Sequence, residues 1–408
     1  MATDDFRSAA EFGLMAGAPP FPDERRVTLA NWQDPPYNRW SFQHVRELIP
    51  TARIASGPVA SELLSAPADL GAVSFAHSGR ALTIDDMLAE TYTDGFLVLH
   101  KGQVVYERYL NGMRPDTPHL LMSVSKSVVA TVAGILVERG VLDVSAAVTA
   151  VVPQLAGSSF DGATVQQLLD MRTGTQFDED YENVESDVRT YERVYLWRPD
   201  DARPRTTDAL SYYPSLFNNG EHGGPFRYRS ILTDVLGWVV ERAARSRLHE
   251  LISELLWAPM GAEYDAEITV DAHGNAMADG GMCATLRDLA RFGAQYLPGG
   301  LVSDVWRYDT AQGAPDGAAA FVTGERPAKW PEDAHYRNCW WVRDPSAPFL
   351  MAAGIYGQNI YVMPADDLVI AKFSTWPTPL SPAFEDLTVS GIDALATFFA
   401  HELGSRPR

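Results

Sequence analysis

The chain has 408 residues, 46% hydrophobic and 21% charged, with a formal net charge of −20. That length predicts a large core, and the composition is that of a folded protein rather than a disordered one. The acidic balance argues against nucleic acid, whose phosphates demand a basic surface, and against an anionic membrane face.

The first residues, "MATDDFRSAAEFGLMAG", carry early acids and no basic or apolar leader, so no secretory signal is read. No apolar run reaches the length of a membrane span. Cys283 and Cys339 cannot build a disulfide framework and lack metal-type spacing. A reducing cytoplasm suits them. No metal, phosphate-loop or dinucleotide pattern appears, so no cofactor is expected.

Residues 1–50 are rich in proline and read as a surface-wrapping segment with one helix at Phe42–Leu48. "FLVLHKGQVVYERYL" (Phe96–Leu110) alternates and turns at His100–Gln103, which predicts a β-hairpin. A helix follows over Ser123–Arg139, with Gly140 at its C′ position. From Val144 to about Arg291 helical patterns dominate: "TVQQLLDMR", "SILTDVLGWVVERAARS", "LHELISELLWAPM" and "TLRDLARFGAQYL". "GQNIYVMPADDLVIAKFSTWP" then gives two strands around Pro364–Asp367, and "VSGIDALATFFAHELG" closes the chain as an amphipathic helix. The order predicts an α/β (α+β) protein. Early and late strands share one antiparallel sheet in a domain of residues 1–143 and 292–408. Residues 144–291 form a mostly helical lobe.

Only four lysines occur: Lys101, Lys126, Lys329 and Lys372. One of them opens the apolar stretch "LLMSVSKSVVATVAGILVERG", three residues after Ser123. Positions i and i+3 share a helix face, so the Ser123 hydroxyl would lie beside the Lys126 ammonium. Burial disfavours the ammonium, and a neutral lysine can act as general base on a serine. First-turn N–H groups can stabilise an anion. The plainer alternative makes Ser123 an N-cap and lets Lys126 snorkel to solvent. In "FRYRSILTDVLGWVVER", Tyr228 precedes a helix and could pass a proton beside a lysine; alternatively Ser230 caps that helix and Tyr228 is a packing anchor.

Together these pieces resemble the serine β-lactamase and penicillin-recognising fold, in which S-x-x-K opens a buried helix. The stretches "NWQDPPYNRW", "TYTDGFLVL", "HLLMSVSKS", "FDEDY", "TDVLGWVVER", "CWW", "GIYGQN" and "STWP" resemble the 6-aminohexanoate-dimer hydrolases, close to the family VIII carboxylesterases. The resemblance implies a serine hydrolase acting through an acyl-enzyme on short esters and linear ω-amino-acid amides. It also implies a homodimer. Ser123 is then the nucleophile, Lys126 its base and Tyr228 the proton relay. Backbone N–H groups of Ser123 and Ile355 form the oxyanion hole. Tyr181 sits on a loop that closes over substrate, and Trp341 flanks the cleft. Glu192 holds a substrate ammonium, while Asp279 and Tyr356 edge the pocket. Tyr356-Gly357-Gln358 replaces the Lys-Thr-Gly of β-lactamases, which removes the lysine that binds a β-lactam carboxylate. A weak β-lactamase or D-amino-acid peptidase is the alternative activity, and a non-catalytic sensor on the same fold the third reading. "HELIS" at His249 lacks the second histidine of a zinc protease and is set aside.

Overall fold

The computed structural model describes residues 6–199, 208–347 and 349–404. Among the described residues fourteen short strands run in chain order: β1 Thr51–Ile54, β2 Leu64–Ser65, β3 Ser74–His77, β4 Arg80–Thr83, β5 Thr93–His100, β6 Gln103–Tyr109 and β7 His119–Leu120. They continue as β8 Ala266–Thr269, β9 Met282–Ala284, β10 His335–Arg337, β11 Trp340–Val342, β12 Leu350–Gly354, β13 Gln358–Met363 and β14 Leu368–Ser374.

The predicted sheet of early and late strands is present. Its order is β10-β11-β12-β13-β14-β5-β6-β2, antiparallel except for the β2–β6 edge. The centre of this sheet is apolar on both faces because both are covered. Along β5, Phe96 and Val98 pack toward the terminal helix Pro382–Gly404 with Ile392, Leu395 and Phe399. Leu97 and Leu99 join the opposite cluster, with Leu289 and Phe292 of the helix Leu286–Ala294. The period of two sends alternate side chains to two separate cores.

The helix of Ser123 runs Val124–Glu138 and ends at Arg139, before Gly140 in the left-handed conformation at φ 67°. Thirteen of its fifteen residues are buried, which fits its nearly uniform apolar composition. It packs between strand β12 and the helix Ile231–Ala244, so the first turn lies where the sheet meets the helical region.

Three expectations change. The helix at Phe42–Leu48 is absent; a short helix spans Asn38–Ser41 and a 3-10 turn spans Val45–Glu47. The segment does not merely wrap the surface, since Trp32, Phe42 and Val45 are buried. The largely helical middle also contributes β8 and β9, which pair with β1 and β7 in a second sheet ordered β1-β8-β9-β7. Strands of two to four residues from three separated stretches of the chain leave little periodic signal. Cys283 and Cys339 are free and buried.

Candidate active site

Ser123 takes helical backbone angles (φ −64°, ψ −7°) and makes no capping bond, so the N-cap alternative fails. Its Oγ instead accepts a hydrogen bond from Lys126 Nζ at 2.8 Å. The same ammonium donates to the Asp279 backbone carbonyl at 2.8 Å and lies 3.7 Å from Asp279 Oδ2. It also sits 5.2 Å from the centroid of the Tyr228 ring. Lys126 is completely buried, so it does not snorkel.

The groups around Lys126 act against the effect of burial. Burial does push the ammonium down, but Tyr228, Asp279, Glu179 and Asp234 together outweigh it and hold Lys126 above its ordinary value. One buried cation among several acids keeps its proton because a favourable neighbour field replaces the lost water. Burial raises the Tyr228 phenol, Lys126 pulls it back and Glu179 raises it further; the net direction is up.

Two elements approach closely beside Ser123. Gly354 ends β12, and a Cβ built on it would lie 3.0 Å from the Ser123 amide nitrogen and 2.8 Å from the Leu121 carbonyl oxygen. Ile355 comes next, where the chain leaves the strand.

A cavity of about 500 Å³ opens over Ser123 and Tyr228. Its walls include Phe177, Trp330, Trp341, Met351 and Trp376, with Glu325 and Glu385 among its polar groups. Trp341 is on the wall as expected. It stacks on Tyr228 at 5.5 Å with 16° between the rings. Tyr181 also lines the cavity, and its hydroxyl donates to Glu179 Oε1 at 2.7 Å.

Glu179 was not singled out in the sequence. Its carboxylate accepts from the Ser230 N–H at 2.6 Å and from the Ser230 hydroxyl, so Ser230 fastens the Tyr181 loop and does not cap its helix with its side chain. The only advance signal for Glu179 was its place in the acid-rich "FDEDY". Asp234, equally unmarked, is 2% exposed and accepts the Asp279 N–H at 3.1 Å. An aspartate inside the apolar run "ILTDVLGWVV" was the signal for it.

Three expected pocket residues lie elsewhere. Glu192 is 3% exposed on the helix Asp187–Val194. Arg189 Nη1 donates to both its oxygens at 2.9 Å, Arg198 Nε also pairs with it, and Gln33 Nε2 donates at 3.2 Å. A carboxylate with two guanidinium partners is not available to a substrate ammonium. Its role is local: Arg189 also donates to the Tyr181 carbonyl and so braces the loop. Tyr356 is buried behind the wall, with φ 61° and its ring 5.1 Å from Phe42. Its N–H donates to the Pro379 carbonyl at 2.8 Å. Asp279 lies beneath Lys126 rather than at the pocket edge. Gln358 bridges strands, donating to the Ser374 carbonyl at 2.6 Å and accepting the Ser374 N–H at 3.1 Å.

Among the described residues no group of histidine, cysteine and acidic side chains is placed to hold a metal, and no helix is long and apolar enough to cross a membrane.

A serine, a lysine and a tyrosine at the mouth of a buried helix beside an antiparallel sheet define the class, and residues 81–392 match the β-lactamase family; the chain belongs to it. Within that class it is 39% identical over 375 residues to the 6-aminohexanoate-dimer hydrolase of Paenarthrobacter ureafaciens, covering 90% of this chain and 91% of that one. A solved structure from Bacillus anthracis, provisionally described as a 6-aminohexanoate-dimer hydrolase, superposes with a TM-score of 0.83 at 26% identity, over 95% of this chain and 100% of the other. A class C β-lactamase from Rhodobacter sphaeroides shares the fold at a TM-score of 0.54 and 16% identity, over 78% and 98% of the two chains. The protein is a hydrolase of the 6-aminohexanoate-dimer hydrolase and β-lactamase superfamily.

Proposed function

We propose that the protein hydrolyses short-chain carboxylic esters and linear amides of the 6-aminohexanoate-oligomer type through an acyl-enzyme on Ser123. The hydrogen bond from Lys126 to Ser123 Oγ, at the floor of an aromatic cavity, carries this reading. Because Lys126 stays charged, it is not the base in its resting form. The proton acceptor is Tyr228 after it has lost its own proton, with the ammonium stabilising the phenolate. Ser123 Oγ then attacks the carbonyl carbon and its proton passes to Tyr228. The oxyanion is held by the Ser123 and Ile355 N–H groups. Collapse breaks the bond to the alcohol or amine, which leaves with the proton from Tyr228. Water repeats the sequence to release the acid and restore Ser123.

The cavity supports the substrate class. Apolar rings suit a methylene chain. Arg229 lines the cavity but is paired with Glu325 at 3.1 Å, so it offers no open site for a substrate anion. The Glu385 carboxylate, on the cavity wall, makes no hydrogen bond or ion pair among the described residues and favours a neutral or cationic acyl end.

The test is hydrolysis of p-nitrophenyl acetate, p-nitrophenyl butyrate and the linear 6-aminohexanoate dimer by wild type and Ser123→Ala. Turnover of esters and dimer, lost in the variant, is the expected result. Ester turnover alone would restrict the protein to a carboxylesterase. Activity surviving in Ser123→Ala would reject the nucleophile.

A further inference from the structure

Among the described residues, the cavity over Ser123 is lined by five acids, Asp178, Glu179, Asp180, Glu325 and Glu385, and by one cation, Arg229. Four of the five acids are engaged. Glu179 accepts from the Ser230 N–H, the Ser230 hydroxyl and the Tyr181 hydroxyl. Glu325 accepts the Tyr228 N–H at 2.9 Å and pairs with Arg229. Asp178 accepts the Asp180 N–H at 3.2 Å, and Asp180 accepts the Glu182 N–H at 2.9 Å, so both serve the turns of their own loop. The Glu385 carboxylate is left on the wall with neither a donor nor a cation.

Glu385 stands on a fixed element. It lies in the first turn of the helix Pro382–Gly404, where the helix dipole favours a negative charge. Its N–H donates to the Ser381 carbonyl at 3.0 Å. The preceding residue, Phe384, packs its ring 5.7 Å from Tyr92 and 5.6 Å from Trp376. Lys329 is held by the adjoining Asp386, so its ammonium is not free for Glu385. Burial, and then the Asp386 charge, raise the Glu385 carboxyl above its ordinary value. A cation settling beside the carboxylate would offset both effects.

We infer that Glu385 receives the cationic end of the acyl chain, an ω-ammonium, and so selects ω-amino acyl groups over neutral ones of equal length and over those ending in a carboxylate. It takes the part expected of Glu192, whose carboxylate is closed by Arg189 and Arg198. Trp330 and Trp341, on the same wall, suit that ligand twice over: their faces attract a cation, and their apolar surface suits the methylenes leading to it. The inference rests on the serine-hydrolase reading of the cavity.

Three p-nitrophenyl esters with one leaving group test the charge at the acyl end. The 6-aminohexanoate ends in an ammonium, the heptanoate has a methyl in its place, and the adipate monoester ends in a carboxylate. Glu385→Gln should lower the ratio of kcat/KM for aminohexanoate over heptanoate by about 5- to 10-fold. The loss should fall on KM rather than kcat, because a contact remote from the reacting carbon stabilises ground and transition states alike. Glu385→Lys should move the adipate monoester ahead of the aminohexanoate. An unchanged ratio in Glu385→Gln overturns the inference, and so does an equal loss on all three esters, which is what a structural role would give. If wild type hydrolyses none of the esters, the hydrolase reading fails by itself. Calorimetric titration of hexylammonium chloride into wild type and Glu385→Gln then decides the contact: tighter binding to wild type is expected, and equal binding overturns it.

Discussion

Replacing Gly354 by alanine should disable the oxyanion hole without touching a catalytic side chain. Gly354 has extended backbone angles (φ −123°, ψ 148°), so alanine brings no conformational strain. The obstacle is space. The new methyl would stand 2.8 Å from the Leu121 carbonyl oxygen, 2.9 Å from Met122 Cβ and 3.0 Å from the Ser123 nitrogen. These contacts are short of ordinary packing by roughly half an ångström, and two of the three are with backbone that cannot swing away. The end of β12 must retreat, and the Ile355 N–H retreats with it. An oxyanion donor works only over a range of a few tenths of an ångström, and losing one costs about 10²–10³ in kcat. A partial displacement should therefore lower kcat on p-nitrophenyl butyrate by about 10- to 100-fold, with KM little changed because the oxyanion exists only in the transition state. Overpacking should cost about 1–3 kcal/mol of stability, read as a melting temperature a few degrees lower. A folded Gly354→Ala protein with kcat within about twofold of wild type would refute the placement of the oxyanion hole.

Other perturbations separate the roles of the charged groups. On the proposed phenolate mechanism, kcat/KM for esters should rise with pH, about tenfold per pH unit below the titration of the general base. A rate that falls as the pH rises would contradict the phenolate mechanism. Glu192→Gln breaks a buried ion pair and should cost about 3 kcal/mol in urea or thermal unfolding, with esters and the linear dimer affected alike. A rise in KM for the dimer alone, at unchanged stability, would return Glu192 to the substrate ammonium. Lys372, completely buried on β14, is pushed down by burial to about 7 from 10.5. Between those values the unfolded chain binds the proton and the folded one does not, so stability should climb by about 1.4 kcal/mol per pH unit from neutral pH toward pH 10. Lys372→Met should flatten that climb and raise the melting temperature more at pH 6 than at pH 9. An unaltered pH slope would show that Lys372 is charged in the fold.

Local pattern made parts of this protein legible. The β5–β6 hairpin announced itself by alternation and a turn, and the Val124–Glu138 helix by its apolar run and a scarce lysine. Ser123 and Lys126 follow from one turn of that helix. The charge on Lys126 does not, because it is a sum over Tyr228, Glu179, Asp234 and Asp279, which come from separate segments. Glu192 read as a charged residue in a polar stretch, but its partners include Gln33, 159 positions earlier. Nothing local distinguishes a carboxylate waiting for substrate from one already enclosed by two arginines. Asp234 was overlooked for the converse reason, since a single polar residue in an apolar helix is ordinary until its neighbour proves to be another acid.

The fastening of the site to the beginning of the chain also bears on how the protein matures. Gln33 reaches the helix of Glu192, Asn38 donates to the Trp376 carbonyl, and Arg39 donates to the Thr375 hydroxyl across 336 positions. Trp376 is itself a wall of the cavity. Contacts of such high sequence separation close large loops and form late. During synthesis the residues that complete the pocket meet only after β14 and Trp376 have been made. A nascent chain stalled before β14 would thus carry Ser123 and Lys126 on a formed helix and still have no finished cavity in which to use them.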